Sequence, residues 1–111
     1  MERYQEEIFT PERLNLRIRI RFSQGFLLEL NEAVVVEAGT IGQLAYRYHF
    51  QDERNRVIFR YDNTPHLPEL KNFPHHKHLE GGIKDCEKPS IVQVNEEAAQ
   101  HSDLRALHDG E

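Results

Sequence analysis

The residues most capable of chemistry lie close together past the middle of the chain. Residues 60–78 read RYDNTPHLPELKNFPHHKH and hold four of the seven histidines: His66, His75, His76 and His78. Histidine is the side chain whose proton moves most readily near neutral pH. Two imidazoles at a phosphodiester could act as general base on a 2′-hydroxyl and general acid on the leaving oxygen. Lys77 or an arginine would then stabilise charge on the phosphoryl oxygens. That is metal-independent RNA cleavage, and it calls for no cofactor. The same residues allow a metal site, with His76, His78 and His66 holding zinc or nickel and Asp62, Glu69 or Glu80 as generic carboxylate candidates. They also allow a structural loop whose histidines hydrogen-bond the backbone. In an extended segment His76 and His78 point one way, and His75 and Lys77 the other. Asp62-Asn63 before Thr64-Pro65 initiates a turn. It would swing the chain out of a strand and aim Tyr61, Asp62 and His66 at one end of a sheet. Spacing alone leaves the alternatives open.

A second group is basic. Nine of the ten arginines fall in residues 1–62, and all four lysines come later. In LNLRIRIRF (14–22) the apolar set Leu14, Leu16, Ile18, Ile20 and Phe22 alternates with Asn15, Arg17, Arg19 and Arg21, the period of a half-buried strand. LAYRYHF (44–50) and VIFRYD (57–62) alternate likewise. If these strands share one sheet with their apolar sets inward, Arg17, Arg19, Arg21, Arg47, His49 and Arg60 project from the opposite face, with Glu29 among them. Such a face suits the phosphates of RNA. It could equally be a solvated face whose arginines pair with Glu29, Glu32 and Glu37 across strands.

Positioning these residues requires a sheet and something to cover its apolar side. FLLEL (26–30) follows the turn Ser23-Gln24-Gly25 and forms a hairpin with the first strand. AVVVEAG (33–39) continues it, with a bulge allowed near Asn31-Glu32. Residues 2–9 read as a short helix that Thr10-Pro11 breaks. Ser90 and Gln93 make a capping box, and Ile91, Val94 and Ala98 give the helix that follows a narrow apolar stripe. The expected fold is α+β: an antiparallel four- to five-stranded meander with one or two helices packed on one face. The expected organisation is a single domain over 1–111. Its parts are a sheet over 14–62, a His/Pro-rich loop over 63–88, a helix over 89–100 and a polar tail over 101–111.

Composition narrows the class. The chain has 111 residues, enough for one modest core, and its 38% apolar residues are concentrated between Leu14 and Tyr61. No apolar run reaches the roughly 18 residues of a membrane span. A charged N-terminus without an apolar stretch does not read as a secretory signal. The lone Cys86 excludes an internal disulfide and multi-cysteine zinc sites. These features predict a soluble, cytoplasmic protein with no membrane partner. The first strand could sit at a sheet edge and pair with a second copy to form a homodimer.

The string YRYHFQDERNRVIFRYDNTPHLPELKNFPHHKH (46–78) resembles the TumE-type toxins of prokaryotic toxin–antitoxin systems. The pattern is Tyr-Arg-Tyr-His, a turn, Phe-Arg-Tyr-Asp-Asn, Pro-His and Phe-Pro-His-His-Lys-His. The similarity extends more weakly over residues 15–97. It implies a small toxin encoded beside a helix-turn-helix antitoxin that neutralises it. Ribonuclease action is an inference for toxins of this size. The signature positions carried over are Arg60, Tyr61, Asp62, Asn63, His66, Pro74, His75, His76, Lys77 and His78.

Overall fold

Alternation does fix the sheet. The structure, a computed structural model, describes residues 2–9, 12–37, 39–64 and 71–109. Among these it has seven strands: β1 (Glu2–Phe9), β2 (Arg13–Arg21), β3 (Leu27–Glu37), β4 (Thr40–Gln51), β5 (Val57–Asp62), β6 (His76–Leu79) and β7 (Gly82–Asp85). Each pairs antiparallel with the next, in the order β1 to β7. One α-helix, α1 (Ile91–Asp109), follows. The class is α+β as expected, but the sheet exceeds the expected four or five strands.

The extra strands fall where the sequence pattern misleads. Residues 2–9 are not a helix; they pair along the whole of β2, Glu2 opposite Arg21 and Phe9 opposite Leu14. An eight-residue helix is marginal alone, whereas the unpaired edge of β2 offers a full ladder of partners. The breaker Thr10-Pro11 lies outside the described residues. The stretch expected as a loop contains β6 and β7. Its prolines, at 65, 68 and 74, all precede His76, so none removes a ladder donor from β6. Leu79 pairs with Gly82, leaving Glu80-Gly81 as a two-residue hairpin turn. Residues 27–37 are one strand, with a register shift between Ala33 and Val34.

One face of the sheet carries the core. Phe26, Leu28, Leu30, Tyr46, Tyr48, Phe50 and Phe59 are buried there against Val94 and Ala98 of α1. Phe50 is central: Phe26 stacks on it at 5.5 Å, Phe59 tilts against it at 5.2 Å, and Phe22 meets it edge-on at 6.0 Å. Burying a ring of this size contributes about 1.5–3 kcal/mol. The capping box forms as read: Gln93 N–H donates to Ser90 Oγ at 3.1 Å, and Ser90 N–H donates to Gln93 Oε1 at 2.9 Å. The helix runs past residue 100, where a tail was expected, to Asp109. Its inward stripe continues through buried Ser102, whose hydroxyl donates to Ser23 O at 3.4 Å. Arg105 then lies over the Phe26 ring at 5.8 Å and reaches Glu53 at 2.7 Å. Polar residue types at those two inward positions hide the continuation.

Two turns hold the β3 and β4–β5 ends together. Asp52 Oδ1 accepts from the backbone N–H groups of Arg54 at 2.8 Å and Arg56 at 3.0 Å. Burial opposes the charge of Asp52, but these hydrogen bonds and the Arg56 guanidinium hold its carboxyl below the ordinary range. Gly25 has φ +87°, and a Cβ there would sit 2.8 Å from Glu53 Cβ. Gly25→Ala therefore combines left-handed backbone strain with a clash. It should destabilise the protein by about 1–3 kcal/mol, seen as a lower urea midpoint. An unchanged midpoint would show that this contact relaxes freely.

Candidate functional site

The face of the sheet opposite α1 carries the polar set, and the register arranges it in rows across the strands. One row runs Arg19, Glu29, His49, Arg60, His78, from β2 to β6. The next runs Arg17, Asn31, Arg47, Asp62, His76, Asp85, from β2 to β7. The pleat causes this, because residues two apart share a face and cross-strand partners lie side by side. The basic face expected from alternation exists as a geometric object.

Glu29 partly neutralises it, at 3.1 Å from Arg17 and 3.8 Å from Arg19. Glu32 does not; it is on the helix side and accepts a hydrogen bond from the Tyr48 hydroxyl. The side chain of Glu37 lies outside the described residues. Arg47 is exposed and has no ion pair among the described residues. A depression of about 380 Å³ is lined by Arg17, Glu29, Asn31 and Arg47. Beside it lies a cleft of about 430 Å³, where Ala33 and Ala45 leave room between Arg13, Asn15, Arg47 and Asn63. Three nitrogens of the first row, Arg19 Nε, His49 Nδ1 and Arg60 Nε, are buried without a hydrogen-bond partner among the described residues.

At the β5–β6 end the rows close on a carboxylate. Asp62 is 4% exposed and His76 1%. Asp62 Oδ1 accepts from Thr64 N–H at 3.0 Å and faces His76 Nε2 at 2.8 Å. Oδ2 faces His78 Nε2 at 3.3 Å and Arg60 Nε at 3.4 Å. His76 Nδ1 lies 2.9 Å from the Pro74 carbonyl, which can only accept, so that nitrogen carries a proton. Both nitrogens of His76 are thus engaged inside the protein. His78 differs: its side chain is 21% exposed. Where Nε2 donates to Asp62, a neutral His78 ring carries its lone pair on Nδ1.

Tyr61, His75 and Lys77 lie on the helix side, as strand alternation requires. His75 stacks on Tyr46, and its Nδ1 lies 2.8 Å from the Tyr46 hydroxyl. Burial pushes that hydroxyl's pKa far above the ordinary tyrosine value, with Cys86 and Asp62 adding to the shift. Tyr61 donates to Glu97 of α1 at 2.6 Å, and Lys77 donates to the same carboxylate at 2.5 Å. Burial and the Glu97 bond both raise the Tyr61 pKa. Burial pulls Lys77 down, but its bonds to Glu97 and Tyr61 outweigh that and raise it. The Lys77–Glu97 pair therefore holds through neutral pH and lets go only as alkaline pH passes the raised lysine pKa.

The sequence-derived set thus separates. Asp62, His76, His78 and Arg60 meet on the open face; Tyr61 and Lys77 tie the sheet to α1, while His75 packs on Tyr46 of β4; His66 and Glu69 lie outside the described residues. Glu97, Tyr46 and Asp85 were missed. Asp85 accepts from the Asn72 backbone at 2.9 Å and the Asn72 amide at 3.0 Å, fixing the approach to β6. No periodicity marks it, but the glycine pair Gly81-Gly82 at the hairpin could have revealed its strand. Cys86 is half-buried, and its thiol pKa is raised first by burial and then by Asp85, which fits no nucleophilic role.

Fold and site together define a one-helix α+β protein with an arginine-bearing open sheet and a histidine–carboxylate corner. Residues 1–103 match the protein family described as Toxin TumE, and the chain belongs to that family. It is accordingly a toxin of a toxin–antitoxin system, which implies a cognate antitoxin. No curated protein and no solved structure matches the chain. Among the described residues no helix is long and apolar enough to cross a membrane.

Proposed function

We propose that this toxin acts on RNA, laying the backbone across the open sheet face and cleaving it at the Asp62 corner without a metal ion. The observation that carries the reading is the row His49, Arg60, His78. Two imidazoles flank one guanidinium, with two strand spacings, roughly 10 Å of backbone, between them. That order suits a base, a phosphate holder and an acid around one phosphodiester. His78 Nδ1 takes the 2′-hydroxyl proton. Asp62 orients the ring and stabilises the imidazolium that forms. Arg60 stabilises charge on the phosphoryl oxygens, and His49 Nε2, 2.9 Å from Gln51 Oε1 in the free protein, turns to donate to the leaving oxygen. Arg17, Arg19, Arg21 and Arg47 hold the flanking phosphates. In this reading His76 positions Asp62 and does not touch substrate. A helix-turn-helix antitoxin would neutralise the toxin by covering the open face with an acidic segment.

The test is end-labelled RNA with tag-free protein, with and without EDTA, beside an Arg47→Ala variant. Cleavage should survive EDTA. Arg47→Ala should weaken RNA binding and lower the slope of log affinity against log salt by about one. An unchanged slope would remove Arg47 from the phosphate path. Binding with the expected slope but no cleavage would favour a toxin that acts by occupying its target.

A further inference from the structure

We propose that Asp62, His76 and His78 form a binding site for a divalent first-row transition metal ion such as zinc. The site shares the corner with the reading above and rests on that reading only for its consequence on cleavage. One donor atom from each residue lies within 4.8 Å of the other two. Asp62 Oδ1 lies 2.8 Å from His76 Nε2, and its other oxygen, Oδ2, lies 3.3 Å from His78 Nε2. An ion about 2.1 Å from each donor needs donors roughly 3–4 Å apart, so small side-chain adjustments admit it. Two imidazole nitrogens and one carboxylate oxygen suit zinc, cobalt or nickel better than calcium or magnesium, which take oxygen.

The surroundings orient the donors. His76 gives its Nδ1 proton to the Pro74 carbonyl at 2.9 Å, the outer bond that commonly accompanies a metal-binding histidine. Thr64 N–H holds Asp62 Oδ1 at 3.0 Å. The sequence offered His66, which lies outside the described residues, as a third imidazole and Asp62 as a carboxylate candidate; the register sets Asp62 opposite His76 on the next strand. The competing cation is Arg60, 3.4 Å from Asp62 Oδ2.

Binding changes where the protons sit. The ion displaces the proton between His76 Nε2 and Asp62 into solvent. At His78 it takes Nε2, and the ring proton moves to Nδ1. That nitrogen then has no lone pair to accept a proton from a 2′-hydroxyl. An occupied site therefore silences the metal-free reaction.

The experiment titrates the tag-free chain with Co²⁺ and reads visible ligand-field absorption, then adds Zn²⁺ in competition. One equivalent of Co²⁺ should give the signal and zinc should displace it. His78→Ala and Asp62→Asn, both checked for folding by circular dichroism, should lose it. Their affinity should fall by more than the roughly 10–100-fold that losing an orienting partner costs. His101→Ala, on the helix side, should keep it, and Arg60→Gln should tighten binding. Zinc should stop RNA cleavage and EDTA restore it. No cobalt signal, or a signal undiminished in both corner variants, would overturn the site and leave His78 as a base. Binding at these residues with cleavage that rises on adding metal would uphold the site and overturn the metal-free mechanism.

Discussion

Asp62→Ala should cost about 3–5 kcal/mol of stability, the scale for removing one partner of a buried charged pair. Four groups converge on this carboxylate: Thr64 N–H, His76 Nε2, His78 Nε2 and Arg60 Nε. The alanine leaves His76, at 1% exposure, with its Nε2 facing an empty volume that its own strand lines. It also leaves Arg60 without its counter-charge. Domains of this size have roughly 5–15 kcal/mol in total, so the loss is a large fraction of what holds β6 to β5. Asp62→Asn keeps the acceptor for Thr64 N–H and the side-chain shape, and should cost less. Urea unfolding at neutral pH measures both. A midpoint for Asp62→Ala equal to that of the native chain would mean that water or a rearranged loop replaces the carboxylate.

His78→Ala should behave in the opposite way, with little change in stability and a large loss of activity. Its side chain reaches solvent and contributes only one of the four contacts to Asp62. As general base it should be worth roughly 10²–10⁴-fold in cleavage rate. The rate should fall with RNA affinity nearly unchanged, because the arginines hold the phosphates. His76→Ala is the instructive companion: it should lower activity only together with stability. A folded His78→Ala variant that cleaves at the native rate would take the chemistry away from this corner.

Much of this was legible in the sequence because the pleat has a period of two. The opposition of Arg17, Arg19, Arg47 and Arg60 to Ile18, Ile20, Tyr46 and Phe59 could be read directly, as could the opposition of His76 and His78 to His75 and Lys77. The Ser90–Gln93 box located the helix start to within two residues. What escaped was decided between segments distant in the chain. Residues 2–9 became a strand because β2 needed a partner. The Pro/His segment returned to the sheet because its prolines stop before His76. Tyr61 and Lys77, placed with the histidines by sequence proximity, meet Glu97 instead, 36 and 20 residues away. The helix was underestimated because Ser102 and Arg105 face inward without being apolar.

The corner and the arginine rows are written into strands, not displayed on loops, and this makes their integrity a matter of parity. Deleting one residue inside β4 or β5 would exchange the faces of everything beyond it in that strand. The exchange would drive Asp62 under the helix and turn Phe59 and Tyr61 to water. A two-residue deletion would restore the facing but slide the rows out of line, separating Arg60 from His49 and His78. Length changes confined to the turn at Glu80-Gly81 disturb neither relation. The spacing within each strand therefore constrains the site more tightly than the length of the Glu80-Gly81 turn does.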